Sequence, residues 1–208
     1  VRLPRLYPIV DAEMLASRGI TLRSFAEELR DAGVILLQYR DKLCGSEELL
    51  RNAAIFTEVF AGRNATLVMN DSPALASLAR WNAVHVGQDD AAVSEARTAM
   101  PQGALVGCST HTDRQIIAAD AAGADYIAIG PVFATSTKKD AEPVVGLEGV
   151  RRARALTARP LVAIGGITIE NASSVIEAGA DSVAVIGALL QPGISPGEMV
   201  RRFFDSMS

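Results

Sequence analysis

The sequence has little of what marks the more specialised protein classes. Its 208 residues include only two cysteines, Cys44 and Cys108, and two histidines, His85 and His111. Two thiols make no disulfide framework, and no His/Cys spacing suits zinc, so two reduced thiols in a cytosolic protein are expected. Two histidines in these places cannot complete a nucleophile–base triad. There is no basic excess: 20 Lys+Arg against 24 Asp+Glu leave a net charge of −4, which argues against binding nucleic acid or an anionic membrane by bulk charge. No stretch approaches the ~18 consecutive apolar residues of a membrane span. The opening residues lack an apolar signal region with a small-residue cleavage site, so a soluble, cytoplasmic protein is expected.

What is present is a core-forming composition, 49% hydrophobic with 17 Gly and 9 Pro. Short β-branched runs recur, each followed by apolar residues at helical spacing, the pattern of βα units. Eight strands are expected, at Leu6–Val10, Ile35–Arg40, Thr66–Asn70, Ala83–Gly87, Leu105–Ser109, Tyr126–Gly130, Leu161–Gly165 and Ser182–Gly187. Ser72 before Pro73 reads as a helix start, and Gly33, Gly123 and Gly179 as left-handed helix stops. A helix-exit phrase repeats as Ala122-Gly-Ala-Asp and Ala178-Gly-Ala-Asp. With no linker and no dinucleotide fingerprint after the first strand, the fold expected is a single (β/α)8 TIM barrel over residues 1–208.

In such a barrel the chemistry sits at the carboxyl ends of the strands. Glycines at or near five of these ends (Gly87, Gly107, Gly130, Gly165-Gly166 and Gly187) suggest backbone brought close to a ligand, and those after strands seven and eight suit a phosphate. The second strand ends with Gln38, Arg40 and Lys42 alternating against Leu37 and Tyr39, which aims two cations and an amide at one polyanion. Asp71 and Asp90 follow the third and fourth strands. Two carboxylates beside those cations suit Mg²⁺ held with substrate phosphate oxygens, and one of Asp89 and Asp90 is expected to serve only as a helix cap. After strand five stands Cys108-Ser109-Thr110-His111-Thr112. After strand six, Gly130-Pro-Val-Phe-Ala-Thr135-Ser136-Thr137-Lys138-Lys139-Asp140 opens a long segment without helix or strand signal, the mark of a lid or binding loop. His85 is expected to be packed inside.

Read together, Leu-Gln-Tyr-Arg-Asp-Lys, Met-Asn-Asp, His-Val-Gly-Gln-Asp-Asp, Cys-Ser-Thr-His-Thr, Gly-Pro-Val-Phe-Ala-Thr-Ser-Thr-Lys-Lys-Asp and Ile-Gly-Gly-Ile resemble the thiamine phosphate synthase family over nearly the whole chain. The resemblance implies transfer of a hydroxymethylpyrimidine group from its pyrophosphate to the nitrogen of a thiazole phosphate or its carboxylated form, releasing pyrophosphate. It implies a pyrimidine pyrophosphate site at Gln38, Tyr39, Arg40, Asp41, Lys42, Asn70, Ser109 and Lys138, with Arg40, Lys42, Ser109 and Lys138 catalytic. It implies Mg²⁺ ligands at Asp71 and Asp90, and a thiazole phosphate site at Thr135, Ser136, Thr137, Gly166, Ile186 and Gly187. The family often has Ser where Gly187 stands, so a backbone N–H survives there and a hydroxyl does not. A thiazole tautomerase with His111 as acid/base is the nearest alternative, but it has no need of Asp71, Asp90 and Lys138. The partners expected are small-molecule substrates, with no nucleic acid or membrane, and a homodimer because barrels of this size often pair.

Overall fold

A computed structural model of the chain describes residues 2–135 and 142–208. Eight parallel strands close on one another in sequence order: β1 Leu6–Asp11, β2 Leu36–Arg40, β3 Thr66–Asn70, β4 Ala83–Val86, β5 Leu105–Thr110, β6 Tyr126–Ile129, β7 Leu161–Ile164 and β8 Ser182–Val185. The last pairs with the first, Leu6 opposite Val183, so the expected barrel is the observed one. Around it stand α1 Ala12–Ala16, α2 Leu22–Asp31, α3 Ser46–Val59, α4 Pro73–Leu78, α5 Val93–Ala99, α6 Asp113–Ala121, α7 Gly146–Leu156, α8 Ile169–Glu177 and α9 Pro196–Ser206. None of the described helices is long and apolar enough to cross a membrane.

The strands are apolar on both faces because both are covered. Tyr7, Leu36, Val68, Tyr126, Val162 and Ala184 belong to the inner cluster that fills the barrel, while Val10, Leu37, Tyr39, Met69, Val84 and Ile127 pack with the helices. Helix starts follow the residues read for them: the Ser72 hydroxyl accepts the Leu75 N–H at 3.4 Å, with Pro73 opening α4. The short α1 was not expected, since five residues are too few for a periodicity. It is nucleated by Asp11, whose carboxylate accepts the Met14 N–H at 2.9 Å.

The repeated Ala-Gly-Ala-Asp phrase secures the base of the barrel. Asp125 accepts the Val106 N–H at 2.7 Å and pairs with Arg97 at 2.6 Å; Asp181 accepts the Leu161 N–H at 2.8 Å and pairs with Arg154 at 3.0 Å. Each aspartate thus satisfies a strand N–H and an arginine at the rim opposite the strands' carboxyl ends.

The strand-end glycines need a correction. Gly107 lies inside β5, and a Cβ there would stand 2.0 Å from Cζ of Tyr126, so the missing side chain makes room for that ring. Gly165 and Gly166 adopt φ of 101° and 63°, and a Cβ on them would meet Pro131 Cα at 2.6 Å and the Ala134 carbonyl at 2.5 Å. Their close neighbour is therefore the chain after β6.

Candidate active site

The carboxyl rim gathers charge from adjacent strands. Along β2, Gln38 is buried in the barrel, Arg40 stands at the rim and Lys42 lies beyond it. Arg40 is directed by Asp11, its register partner on β1, to which the guanidinium donates. Lys42 forms an ion pair with Asp71. The side chains of Tyr39 and Asp41 do not join them. The Tyr39 ring lies on the other face of β2 against Phe56, with centroids 5.1 Å apart, and its hydroxyl donates to Asp41 at 3.1 Å. Asp41 in turn accepts the N–H groups of Leu43 and Cys44 at 3.0 and 3.1 Å, so this pair shapes the turn that carries Lys42.

Asn70 ends β3, and Asp71 turns the chain with a left-handed φ of 62° while donating its N–H to the His85 carbonyl at 2.8 Å. Asp tolerates this region better than most residues. The cap of α4 is Ser72, which leaves the Asp71 carboxylate to the mouth. Neither Asp89 nor Asp90 caps α5; that position is Ala92, and Asp90 instead accepts the Gly87 N–H at 2.8 Å. Burial pushes the Asp71 carboxyl up, and the neighbouring Asp90 adds to this against the pull of Lys42. Burial acts on Asp90 in the same sense, but hydrogen bonds from Asp71 and Gly87 and the Lys42 charge outweigh it and hold Asp90 below the usual carboxylate range. The two carboxyl groups therefore compete for one proton beside an ammonium group.

Ser109, near the end of β5, lies with Oγ 2.8 Å from His85 Nε2, and its carbonyl accepts from Gln88 Nε2 at 2.6 Å. His85 is packed inside as expected, 7% exposed, with Nδ1 3.0 Å from the Tyr126 hydroxyl. His111 donates from Nδ1 to the Gly130 carbonyl at 2.6 Å and from its N–H to Gln115 at 2.7 Å, which braces the end of β6. Both thiols are held protonated. Burial first, then Asp41, pushes Cys44 up to about 11, and burial raises Cys108.

Thr135 is the last described residue of the hydroxyl run; Ser136, Thr137, Lys138 and Lys139 lie outside the described residues. Gly166 follows β7, while Ile186 and Gly187 follow β8 and open a 3₁₀ turn over Gly187–Leu189. Three residues at or below this rim escaped the sequence reading: Asp11, Tyr7 and Tyr126. Only the pairing of Asp11 with Arg40 across β1 and β2 could have pointed to the first.

The family model of thiamine monophosphate synthase matches residues 6–189, from the first residue of β1 to past the end of β8. The chain belongs to the thiamine monophosphate synthase family. Among its relatives, the thiamine-phosphate synthase of Koribacter versatilis is 50% identical over 192 residues, covering 91% of this chain and 90% of its own. That of Methanoculleus marisnigri is 40% identical, covering 90% and 88%. The solved thiamine phosphate pyrophosphorylase of Pyrococcus furiosus superposes with a TM-score of 0.85 at 24% identity, over 97% of this chain and 95% of that one, a likeness of fold. The thiamine monophosphate synthase match includes every strand whose carboxyl end contributes to the charged rim.

Proposed function

We propose that this chain is a thiamine phosphate synthase: a transferase that joins a hydroxymethylpyrimidine, delivered as its pyrophosphate, to a thiazole phosphate and releases pyrophosphate. The observation that carries the reading is the convergence of Arg40, Lys42, Asp71, Asp90 and Ser109 on one rim in a chain of this family. The leaving group is a polyanion, and the rim is built to neutralise one.

Asp71 and Asp90 fit Mg²⁺: two carboxylates, hard oxygen donors, compete for one proton next to Lys42, and a divalent cation relieves that repulsion. Among the described residues no group of three or more His, Cys, Asp or Glu could hold a metal ion, so an ion on Asp71 and Asp90 would need phosphate oxygens and water to complete its coordination. When bound, Mg²⁺ would supply charge neutralisation on the pyrophosphate.

The chain's own groups do the rest. Arg40, held by Asp11, presents guanidinium N–H groups to the pyrophosphate, and Lys42 and Lys138 add compact charge. Gln38, Asn70 and Ser109 orient the pyrimidine, while the Tyr39 hydroxyl and Asp41 carboxylate shape the turn that carries Lys42. Loss of pyrophosphate leaves a methylene cation stabilised by the pyrimidine, which the thiazole nitrogen captures without a general base. Thr135, Ser136, Thr137 and the N–H groups of Gly166, Ile186 and Gly187 receive the thiazole phosphate. A cytoplasmic location and a homodimer belong to the same proposal.

Positioned charges of this kind are each worth on the order of 10²–10³ in rate. Arg40→Ala, Asp90→Asn and Lys138→Ala are each expected to lower turnover by such a factor with both substrates saturating. Unchanged turnover in any of them would remove that residue from the site.

A further inference from the structure

Beneath the mouth, five side chains from five strands form one hydrogen-bonded chain across the barrel. Gln38 Nε2 donates to the Tyr7 hydroxyl at 3.0 Å, and the Tyr7 and Tyr126 hydroxyls lie 2.9 Å apart. The Tyr126 hydroxyl is 3.0 Å from His85 Nδ1, and His85 Nε2 is 2.8 Å from Ser109 Oγ. Gln38 and Ser109, the two ends, are the groups assigned above to the pyrimidine. Tyr7, Tyr126 and His85, between them, have no assigned role.

We propose that Tyr7, Tyr126 and His85 are positioning residues that fix the polarity of the two ends, so that Gln38 offers its carbonyl oxygen as acceptor and Ser109 its O–H as donor. The ligand class that fits this pattern is an aminopyrimidine edge, with an amino N–H to give and a ring nitrogen to accept. This deepens the proposed function and rests on it for the identity of the ligand.

The protons available set the direction of each hydrogen bond. Each phenol has one hydrogen, and burial raises both Tyr7 and Tyr126 so that each keeps it. Tyr7 already accepts from Gln38, so its own hydrogen goes to Tyr126; were Tyr126 to donate back, the Tyr7 proton would be buried without an acceptor, which is costly. Tyr126 then donates to His85 Nδ1, which places the imidazole proton on Nε2, where it is given to Ser109 Oγ. With that lone pair engaged, the Ser109 proton is free to turn to the mouth. The Gln38 amide nitrogen is spent inward, which leaves its oxygen to the ligand. Gly107 supports the arrangement independently: its bare backbone accommodates the Tyr126 ring, which carries the middle hydroxyl.

Tyr126→Phe keeps the ring and cuts the chain. It is expected to lower kcat roughly tenfold with a smaller change in KM, while in a Ser109→Ala background the same substitution changes kcat less than twofold, because there is no hydroxyl left to orient. Equal losses in both backgrounds would show a merely structural effect and overturn the proposal. Should Tyr126→Phe not fold, Tyr7→Phe cuts the chain one link away and faces the same two outcomes. Nitrogen NMR of His85 in the unmodified protein is expected to show the Nε2–H tautomer, and an Nδ1–H tautomer would overturn the polarity. If the unmodified protein releases no pyrophosphate, the synthase reading fails, and the His85 tautomer still decides the polarity on its own.

Discussion

The direction of the Arg40 guanidinium depends on a residue that makes no claim to chemistry. Asp11 is 7% exposed, pairs with Arg40 and caps α1 through the Met14 N–H, so one carboxylate holds a cation at the rim and starts a helix. Removing one partner of a largely buried pair leaves the other uncompensated, and a lost cap adds about 1 kcal/mol. Asp11→Ala is expected to cost roughly 2–4 kcal/mol in urea denaturation and to weaken pyrimidine pyrophosphate binding measured by calorimetry; native-like values in both would detach Arg40 from Asp11. Gly107 makes a second test at this scale. A Cβ 2.0 Å from the Tyr126 ring forces the ring or the strand to move, and Gly107→Ala is expected to lose about 3 kcal/mol by overpacking, read as a lower denaturation midpoint.

At the scale of elements, the helices and strands hold the two ends of the barrel by different means. Its base is tied by ion pairs, among them Asp120 at the end of α6, which accepts from Thr157 at 2.5 Å and Arg159 at 3.0 Å. Those two hydrogen bonds, Thr157 first, hold the Asp120 carboxyl below its usual range. A lowered carboxylate stabilises the fold fully above its unfolded value of about 3.9, and the contribution is lost as pH falls through the lower folded value. Asp120→Asn is therefore expected to be less stable than the parent at pH 7, by under about 1 kcal/mol for a group that solvent still reaches, with the gap closing in strong acid; a gap that persists there would contradict the assignment. The elements themselves were legible because eight β-branched runs alternate with helical spacing, and because Gln38, Arg40 and Lys42 alternate with Leu37 and Tyr39. Other features were not legible, for physical reasons. Tyr7 and Tyr126 sit in strands whose two faces are equally apolar, so no alternation marks which side is inward. Their hydroxyls meet across 119 residues only because the barrel closes in one register. A strand-end glycine likewise does not say whether its close neighbour is a ligand or, as at Gly165 and Gly166, the protein itself. The hydroxyl and lysine run after Thr135 was legible as a motif, and its placement lies outside the described residues.

For the whole molecule, ion pairs tie the base of the barrel, and at the mouth the paired charges of Arg40, Asp11, Lys42 and Asp71 converge on one rim. The homodimer proposal predicts a solution mass twice the 21.9 kDa of one chain. Light scattering checks it, and a mass of one chain would contradict it. In the proposed reaction the mouth neutralises a departing pyrophosphate while a thiazole nitrogen captures the cation left behind. The most direct test is pyrophosphate release on mixing the purified protein with hydroxymethylpyrimidine pyrophosphate and thiazole phosphate, with Mg²⁺ and then with EDTA. Release that needs both substrates and stops on chelation is the predicted result; no release under any condition would contradict the account.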